Sequence, residues 1–232
     1  MKKFKAVIFD LYGTLVDSFT ITGYEETLKN TARALGVPFD DYRRVWYETA
    51  YGRNTGVYPT TRDVMNYICQ TLEVPVNDEQ LDRARMIRYE YNRKELTPRS
   101  DAVFVLKELR KRGYKLGLVS NCSPVTEEVW KETPFPPLFD DTTFSTSAGH
   151  KKPDPRIYFL ALDRLGVKGE DCMYVGDGDS DELTGAREAG MYPVMISVDY
   201  EKDNELYVYD RQEWDGPVIR SLTEVLSLVE EE

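Results

Sequence analysis

A single carboxylate closes the first apolar run of the chain. Residues Phe4–Phe9 are mostly apolar strand formers, Asp10 follows them, and Gly13 and Thr14 come shortly afterwards. A continuous run of this kind, bounded by a glycine turn, predicts a buried parallel strand. Ligands of open parallel sheets bind at the carboxyl ends of the strands, where Asp10 would lie. Asp10 is therefore a candidate covalent nucleophile, with Gly13 allowing close backbone approach and Thr14 offering a hydroxyl. For an isolated aspartate, the alternative is a residue that caps a strand-to-helix turn.

Two later stretches carry polar side chains that could handle an anion. Tyr114–Val119 predicts a strand, and Ser120 and Asn121 follow it. Both side chains can donate hydrogen bonds to an oxyanion, although both are equally common as turn formers. Lys152 precedes Pro-Asp-Pro at the start of a predicted helix. Its ammonium could neutralise both Asp10 and a bound anion, and the alternative is a solvated surface lysine.

An acidic loop follows another apolar run. Cys172–Val175 predicts a strand, and the loop Gly176–Asp181 comes directly after it. If the strands are parallel, Asp10 and Asp177 lie at neighbouring strand ends and supply two hard oxygen ligands, which suits Mg²⁺. Asp181 and the glutamate after it have an alternative role as favourable charges at a helix N-terminus. That role does not explain Asp177, which lies before the turn. Carboxylates clustered there would also raise one another's pKa without a cation.

Predicted strands and helices alternate along the chain, with one interruption. Residues from about 18 to 96 predict four consecutive helices, the second over about Asp41–Tyr51. The simplest account is an all-helical insertion on an α/β core, so we predict a core of residues 1–17 and 97–232 and an insertion of residues 18–96. Five βα units with short connections predict a parallel sheet in a three-layer sandwich. The polar stretch Asp199–Gly216 allows no assignment.

Composition excludes several classes of partner. The chain has 232 residues, 41% of them hydrophobic, and a formal net charge of −11. Such an acidic chain argues against nucleic acid or an anionic membrane as a partner. No apolar run approaches the length of a membrane span or signal peptide. The three cysteines form no close pair, which favours reduced thiols in a cytoplasm. Nothing in the pattern indicates an oligomeric state.

Taken together, these stretches resemble the motif set of the haloacid dehalogenase (HAD) superfamily of hydrolases with an aspartate nucleophile. The resemblance extends from residue 4 to about residue 198. It rests, in this order, on strand-Asp10-x-Tyr12-Gly-Thr14, strand-Ser120-Asn121, Lys152-Pro-Asp-Pro and Gly-Asp177-x-x-x-Asp181. It implies a Rossmann-like parallel sheet, with the helices of residues 18–96 as a cap that closes over the site.

The resemblance also implies a role for each motif residue. The implied catalytic residues are Asp10 as the nucleophile, Tyr12 and Lys152. The implied substrate contacts are Thr14, Ser120, Asn121 and Lys152. The implied Mg²⁺ ligands are Asp10, Tyr12 through its backbone carbonyl, and Asp177, with Asp181 as an additional carboxylate.

Tyr12 is where the chain departs from the phosphatases of this superfamily. They usually carry a second aspartate there, which protonates the leaving alkoxide. A tyrosine, with a reference pKa of about 10, suits that work poorly at neutral pH. His150, the single histidine, is a candidate replacement, and the alternative is an exposed loop residue. Substrates whose leaving group needs little protonation, such as acyl phosphates, are another way to do without the acid.

Tyr12 also resembles the 2-haloacid dehalogenase branch, in which the leaving halide needs no proton. That branch usually has Ser-Ser-Asn where this chain has Gly176-Asp177-Gly178, and it places an arginine after a Leu-Trp pair where this chain has Tyr47 after Trp46. The candidates for such an arginine are Arg43, Arg44 and Arg53. The metal loop decides between the branches, because Asp177 is hard to explain without Mg²⁺.

We therefore predict a cytoplasmic, Mg²⁺-dependent phosphohydrolase that acts on a small phosphorylated metabolite through an aspartyl phosphate on Asp10. The first alternative is a 2-haloacid dehalogenase that forms an ester on Asp10. The second is a catalytically silent binding protein that lost its acid at Tyr12. The cap residues that set specificity, among them Arg83, Arg85, Arg88 and Arg93, cannot be told from surface charges by sequence.

Overall fold

A computed structural model describes residues 4–198 and 212–230. Six parallel strands form one sheet in the order β3-β2-β1-β4-β5-β6. The strands are β1 (Ala6–Phe9), β2 (Lys115–Ser120), β3 (Asp141–Phe144), β4 (Cys172–Gly176), β5 (Tyr192–Ile196) and β6 (Val218–Ile219). The predicted parallel α/β sheet is confirmed.

Helices occupy both faces of the sheet and the insertion after β1. They are α1 (Ile21–Leu35), α2 (Phe39–Glu48), α3 (Ala50–Asn54), α4 (Thr61–Thr71), α5 (Asp78–Glu95), α6 (Ala102–Lys111), α7 (Pro124–Trp130), α8 (Ser145–Ala148), α9 (Pro155–Leu165), α10 (Glu182–Glu188) and α11 (Val225–Leu228). Along the described residues, none of these helices is long and apolar enough to cross a membrane.

The central strand shows how the layers form. Val7 and Phe9 belong to one hydrophobic cluster, and Ala6 and Ile8 belong to another. Successive side chains of a strand point to opposite faces, so both faces of β1 are covered and the strand is buried throughout. This arrangement confirms the three-layer architecture.

The helices between β1 and β2 have a hydrophobic cluster of their own, built around residues such as Leu28, Trp46 and Ile68. One predicted helix differs here. The stretch predicted as a single second helix contains two helices, since α2 ends at Glu48 and α3 begins at Ala50. The five helices fit the proposed insertion of residues 18–96, whose boundaries and closing motion stay predictions.

Local signals fix the two helices that matter most for the site. Asn77 caps α5 with a reciprocal hydrogen-bond pair to Gln80. Asp154 caps α9, accepting a hydrogen bond from the backbone N of Arg156, and Pro155 is its first residue. Both helix starts agree with the sequence pattern. β6 follows the stretch 199–216, for which no assignment was possible and of which residues 199–211 lie outside the described part.

Candidate active site

The sheet register brings the predicted strand-end residues together. Phe9 pairs with Leu118 of β2 and with Val175 of β4. The residues that follow these positions in the three neighbouring strands include Asp10, Ser120 and Asp177, and all three are buried. The backbone N of Asp10 donates to the carbonyl of Val175 at 2.9 Å, which continues the β1–β4 ladder to the predicted nucleophile.

Lys152 reaches Asp10 from the loop before α9. Its Nζ lies 2.5 Å from Asp10 Oδ1 and 2.5 Å from Glu182 Oε2, and 3.3 Å from the hydroxyl of Tyr174. The Lys152 side chain is 4% exposed, so the alternative of a solvated surface lysine is wrong. Two carboxylates around one buried ammonium hold it in a fixed position.

Asn121 holds the backbone of that lysine. Its Oδ1 accepts a hydrogen bond from the Lys152 backbone N at 2.8 Å, and its Nδ2 donates to the Lys152 carbonyl at 3.2 Å. The amide therefore positions Lys152. Its predicted role as a hydrogen-bond donor to the substrate stays a prediction and would fall to the one amide hydrogen outside this pair.

The acidic cluster differs in one member from the predicted set. Carboxylate oxygens of Asp10, Asp177 and Glu182 lie within 4.8 Å of one another, and all three residues are buried. Asp181, the predicted additional metal carboxylate, is exposed and borders the cavity outside this cluster. Ser180 and Asp181 both have positive φ, 56° and 51°, and this turn directs the next side chain inward. Glu182 thus takes the inner position.

Glu182 is held by three elements besides Lys152. Its Oε2 accepts a hydrogen bond from the Tyr174 hydroxyl at 2.7 Å, and its Oε1 accepts one from the Gly178 backbone N at 3.0 Å. Its backbone carbonyl accepts from the Tyr158 hydroxyl at 2.9 Å. From the sequence, Glu182 is expected only as a favourable charge at a helix N-terminus, so its place in the site is not predicted.

The hydroxyls of Thr14 and Ser120 lie in the same interior. Both residues are fully buried. Among the described residues, Thr14 Oγ1 has no hydrogen-bond partner, and Ser120 Oγ lies 3.5 Å from the Asn121 carbonyl, at the limit of a hydrogen bond. Neither residue is among the described residues that line the cavity above Asp10, so the substrate contacts predicted for them stay predictions.

Burial and charge act in opposite directions on the central pair. Burial raises the pKa of Asp10, and the Lys152 ammonium opposes that rise. Burial would lower the pKa of Lys152, but the Asp10 and Glu182 carboxylates outweigh it and raise that pKa. Three acidic groups share one ammonium in this cluster, and their hard oxygen donors fit Mg²⁺.

Tyr12 directs its hydroxyl away from Lys152 and its carboxylates, toward the inserted helices. The oxygen lies 3.1 Å from Thr126 Oγ1 and 3.4 Å from Asn92 Oδ1. Burial raises the pKa of this phenol, so it holds its proton at neutral pH. His150 is not among the described residues that line the cavity above Asp10, which removes the support for it as a replacement acid.

That cavity has a volume of about 540 Å³ and lies between the strand ends and the inserted helices. Arg53 and Arg88, from α3 and α5, border it and are buried. The other two arginine candidates, Arg43 and Arg44, make ion pairs at the surface. Arg88 was one of four cap arginines that sequence alone did not separate.

The fold and site define a hydrolase with an aspartate at the end of its central strand. The sequence-family model of the haloacid dehalogenase-like hydrolases matches residues 4–190, and the chain belongs to this family.

Curated relatives and solved structures include both branches weighed above. The chain is 31% identical to a glyceraldehyde 3-phosphate phosphatase of Methanopyrus kandleri, over 83% of each chain. It is 27% identical to an (S)-2-haloacid dehalogenase of Pseudomonas putida, over 75% of this chain and 77% of the relative. A HAD-family enzyme of Bacteroides thetaiotaomicron, solved with magnesium and inorganic phosphate, has the same fold. Its TM-score is 0.66 at 18% identity, over 86% of this chain and 98% of that one.

Proposed function

We propose that this hydrolase is a Mg²⁺-dependent phosphohydrolase that acts on a small phosphorylated metabolite through an aspartyl phosphate on Asp10. The observation that carries the proposal is the charge of the buried cluster, in which Asp10, Asp177 and Glu182 face one ammonium. A divalent cation would offset the negative charge that the single ammonium of Lys152 does not balance. The phosphatases among the relatives and the magnesium and phosphate in the Bacteroides enzyme support the same reading.

The residues of the chain would share the work as follows. An Asp10 oxygen forms a bond to phosphorus while the bond from phosphorus to the leaving oxygen breaks. Lys152 offsets the charge on Asp10 and on the phosphoryl oxygens, to which Thr14 and Ser120 donate hydrogen bonds. Mg²⁺ held by Asp10, Asp177 and the backbone carbonyl of Tyr12 would supply Lewis-acid stabilisation of that charge. Water then adds to phosphorus, the bond to Asp10 breaks, and inorganic phosphate leaves.

The leaving oxygen needs a proton in most phosphomonoesters. The Tyr12 phenol, with its raised pKa and its contacts to Thr126 and Asn92, is a poor donor. We propose that solvent water protonates the leaving alkoxide, and that acyl phosphates, whose leaving carboxylate needs no proton, react faster. Asp181, exposed at the cavity edge, would act as an outer carboxylate that attracts the cation.

The direct test is phosphate release from a panel of phosphomonoesters and acetyl phosphate, with Mg²⁺ and with EDTA. Asp10→Asn serves as the blank, because an amide cannot form the aspartyl phosphate. Mg²⁺-dependent release that disappears in the blank would establish the function. Release that persists in Asp10→Asn would overturn the mechanism.

A 2-haloacid dehalogenase is the second candidate, and the position of Arg53 favours it. Of the three arginines considered as halide contacts, this one borders the cavity. In this reaction Asp10 would displace halide from carbon and form an ester that water hydrolyses. Halide release from 2-haloacids that is indifferent to EDTA would favour this candidate over the phosphohydrolase.

The remaining proposals concern the setting of the enzyme. We propose that residues 18–96 act as a cap that closes over the substrate and excludes water. The three buried free thiols fit a reducing cytoplasm.

A silent binding protein is the third candidate. It would bind Mg²⁺ or ligand without turnover, and activity restored by Tyr12→Asp would support it.

A further inference from the structure

The charged side chains that the inserted helices contribute to the cavity are all positive. Among the described residues that line it, α1–α5 contribute two charged side chains, and both are arginines, Arg53 and Arg88. The chain as a whole carries a formal net charge of −11, so composition alone would favour acids there. The acidic residues of the lining, which include Asp10 and Asp177, come from the strand ends of the core.

Arg88 is buried without full hydrogen bonding. The residue is 3% exposed, and its Nε and Nη1 have no hydrogen-bond partner in the part of the chain that the structure describes. Its Cζ lies 4.5 Å from the ring centroid of Trp46 and 5.2 Å from that of Tyr24. Aromatic faces stabilise the charge, but they leave these donors unsatisfied, which is unfavourable unless an acceptor enters the cavity.

The guanidinium of Arg53 also contacts the indole of Trp46. Its Cζ is 3.7 Å from the ring centroid of Trp46, and its Nη1 donates to Thr49 Oγ1 at 2.6 Å and to the Trp46 carbonyl. These contacts hold Arg53 in place. The two arginines and the indole therefore form a rigid, positively charged wall of the cavity.

This wall is linked to the nucleophile through a short chain of contacts. Tyr12, two residues after Asp10, places its hydroxyl 3.4 Å from Asn92 Oδ1. Asn92 lies one helical turn after Arg88, or about 6 Å along the helix axis, and its Nδ2 donates to the Arg88 carbonyl at 3.0 Å. A small molecule in the cavity can thus approach both Asp10 and Arg88.

We propose that Arg88, assisted by Arg53, binds a second anionic group on the leaving group of the phosphorylated substrate. This inference rests on the proposed phosphohydrolase function and adds the substrate class. The substrate would be a small phosphomonoester with a carboxylate or second phosphate. Its reacting phosphoryl group lies over Asp10 while the other anion accepts hydrogen bonds from the planar guanidinium of Arg88.

The test compares substrates that differ only in the second group: ethyl phosphate, 2-phosphoglycolate and ethylene glycol bisphosphate. We expect the wild-type enzyme to have a kcat/KM about 10- to 100-fold higher for at least one anionic substrate than for ethyl phosphate. Whichever is preferred identifies carboxylate or phosphate as the recognised group. No preference for either anionic substrate over ethyl phosphate would overturn the proposal.

Arg88→Gln should remove this preference, mainly through a higher KM for the anionic substrate, while ethyl phosphate turnover changes little. Arg83→Gln is the matched control, because Arg83 is on the same helix but exposed and paired with Glu79, and it should change neither. Equal losses with all substrates in Arg88→Gln would show a purely structural role and contradict the proposal. If Arg88→Gln does not fold, Arg88→Lys takes its place. Lysine keeps the positive charge but lacks the planar set of guanidinium N–H donors, so the preference for the anionic substrate should shrink.

A binding measurement separates this proposal from the proposed function. Calorimetry with phosphonoacetate and ethylphosphonate, which are not hydrolysed, should give tighter binding of phosphonoacetate or, for phosphate recognition, of ethane-1,2-diylbisphosphonate. The difference should disappear in Arg88→Gln. If no phosphomonoester is hydrolysed but this difference is present, the phosphohydrolase assignment fails and the anion site stands. Equal binding of all three probes to the wild type would contradict the anion site.

Discussion

The carboxylate of Asp177 lies against the Cα of Gly13, in the space that any other side chain at residue 13 would occupy. A Cβ built on Gly13 would lie 2.6 Å from Asp177 Cγ, and Gly13 has a φ of +79°. The position therefore requires glycine for two independent reasons, backbone conformation and the closeness of the carboxylate. The turn after β1 and the acidic loop after β4 fit together through this contact.

Gly13→Ala should separate those two reasons when it is compared with Gly149→Ala. Gly149 has a φ of +73°, and no described atom lies within 4 Å of a Cβ there. Both variants should lose about 1–2 kcal/mol of unfolding free energy from the left-handed conformation. Only Gly13→Ala should displace Asp177, with Mg²⁺ affinity and turnover falling about 100-fold. Urea unfolding and Mg²⁺ titrations measure the two effects, and full activity in Gly13→Ala would contradict the packing.

Glu182→Gln should show how strongly Lys152 depends on its second carboxylate. The substitution keeps the shape of the side chain and leaves Asp10 as the partner of Lys152, but it replaces a charge-assisted hydrogen bond from the ammonium by a weaker neutral one, at a cost of about 1 kcal/mol of unfolding free energy. Turnover should fall as well, because Lys152 loses its fixed position. Glu188→Gln, at the exposed other end of the same helix, is the control. Denaturant unfolding and steady-state kinetics distinguish them, and equal behaviour of the two variants would refute the role of Glu182.

Tyr12→Phe should leave the rate of chemistry almost unchanged. The variant loses the hydroxyl contacts to Thr126 and Asn92 but keeps the backbone carbonyl and the ring. Since burial raises the pKa of the phenol, the hydroxyl does not donate a proton at neutral pH. Loss of a true general acid would cost about 100- to 10,000-fold. A kcat within about threefold of the wild type for ethyl phosphate is the expected result, and a loss in that larger range would identify Tyr12 as the acid.

The three thiols should be unreactive in the native protein. Cys69, Cys122 and Cys172 are buried, and burial raises the pKa of Cys122 and of Cys172 to about 12. The thiolate, which is the reactive form, is therefore scarce at pH 8. Titration with a disulfide reagent should show slow modification in buffer and three thiols per chain in guanidinium. A fast-reacting thiol in the native protein would contradict this burial.

The polar residues at the carboxyl ends of the strands can be predicted from the sequence, because the pattern that reveals them is local. An apolar run predicts a buried strand, and parallel strands share one carboxyl edge, so Asp10, Ser120 and Asp177 were placed together correctly. Lys152 could be associated with them only through motif order, since its approach to Asp10 depends on packing across 142 residues of chain.

Two features of the site were beyond sequence pattern. Whether Asp181 or Glu182 points inward depends on two consecutive residues with positive φ, which neither residue type prescribes. Arg88 lies on a helix whose other arginines are exposed, as Arg83 is, or partly exposed, as Arg85 is. Its burial follows from how α5 packs on the aromatic residues of α1 and α2, which is tertiary information.

The charged centre is assembled from distant parts of the chain, and this has a consequence for biosynthesis. Asp10 leaves the ribosome long before Lys152 and Glu182, yet all three are buried together in the finished protein. Burying one carboxylate without its counter-charge costs several kcal/mol. We therefore expect the end of β1 to stay hydrated in nascent chains until the segment that carries Lys152 has emerged. Hydrogen exchange on stalled chains should show protection of the Asp10 amide, whose acceptor is the Val175 carbonyl, only once residues 152–182 have left the ribosome. The enzyme would acquire its catalytic centre in one late step of translation.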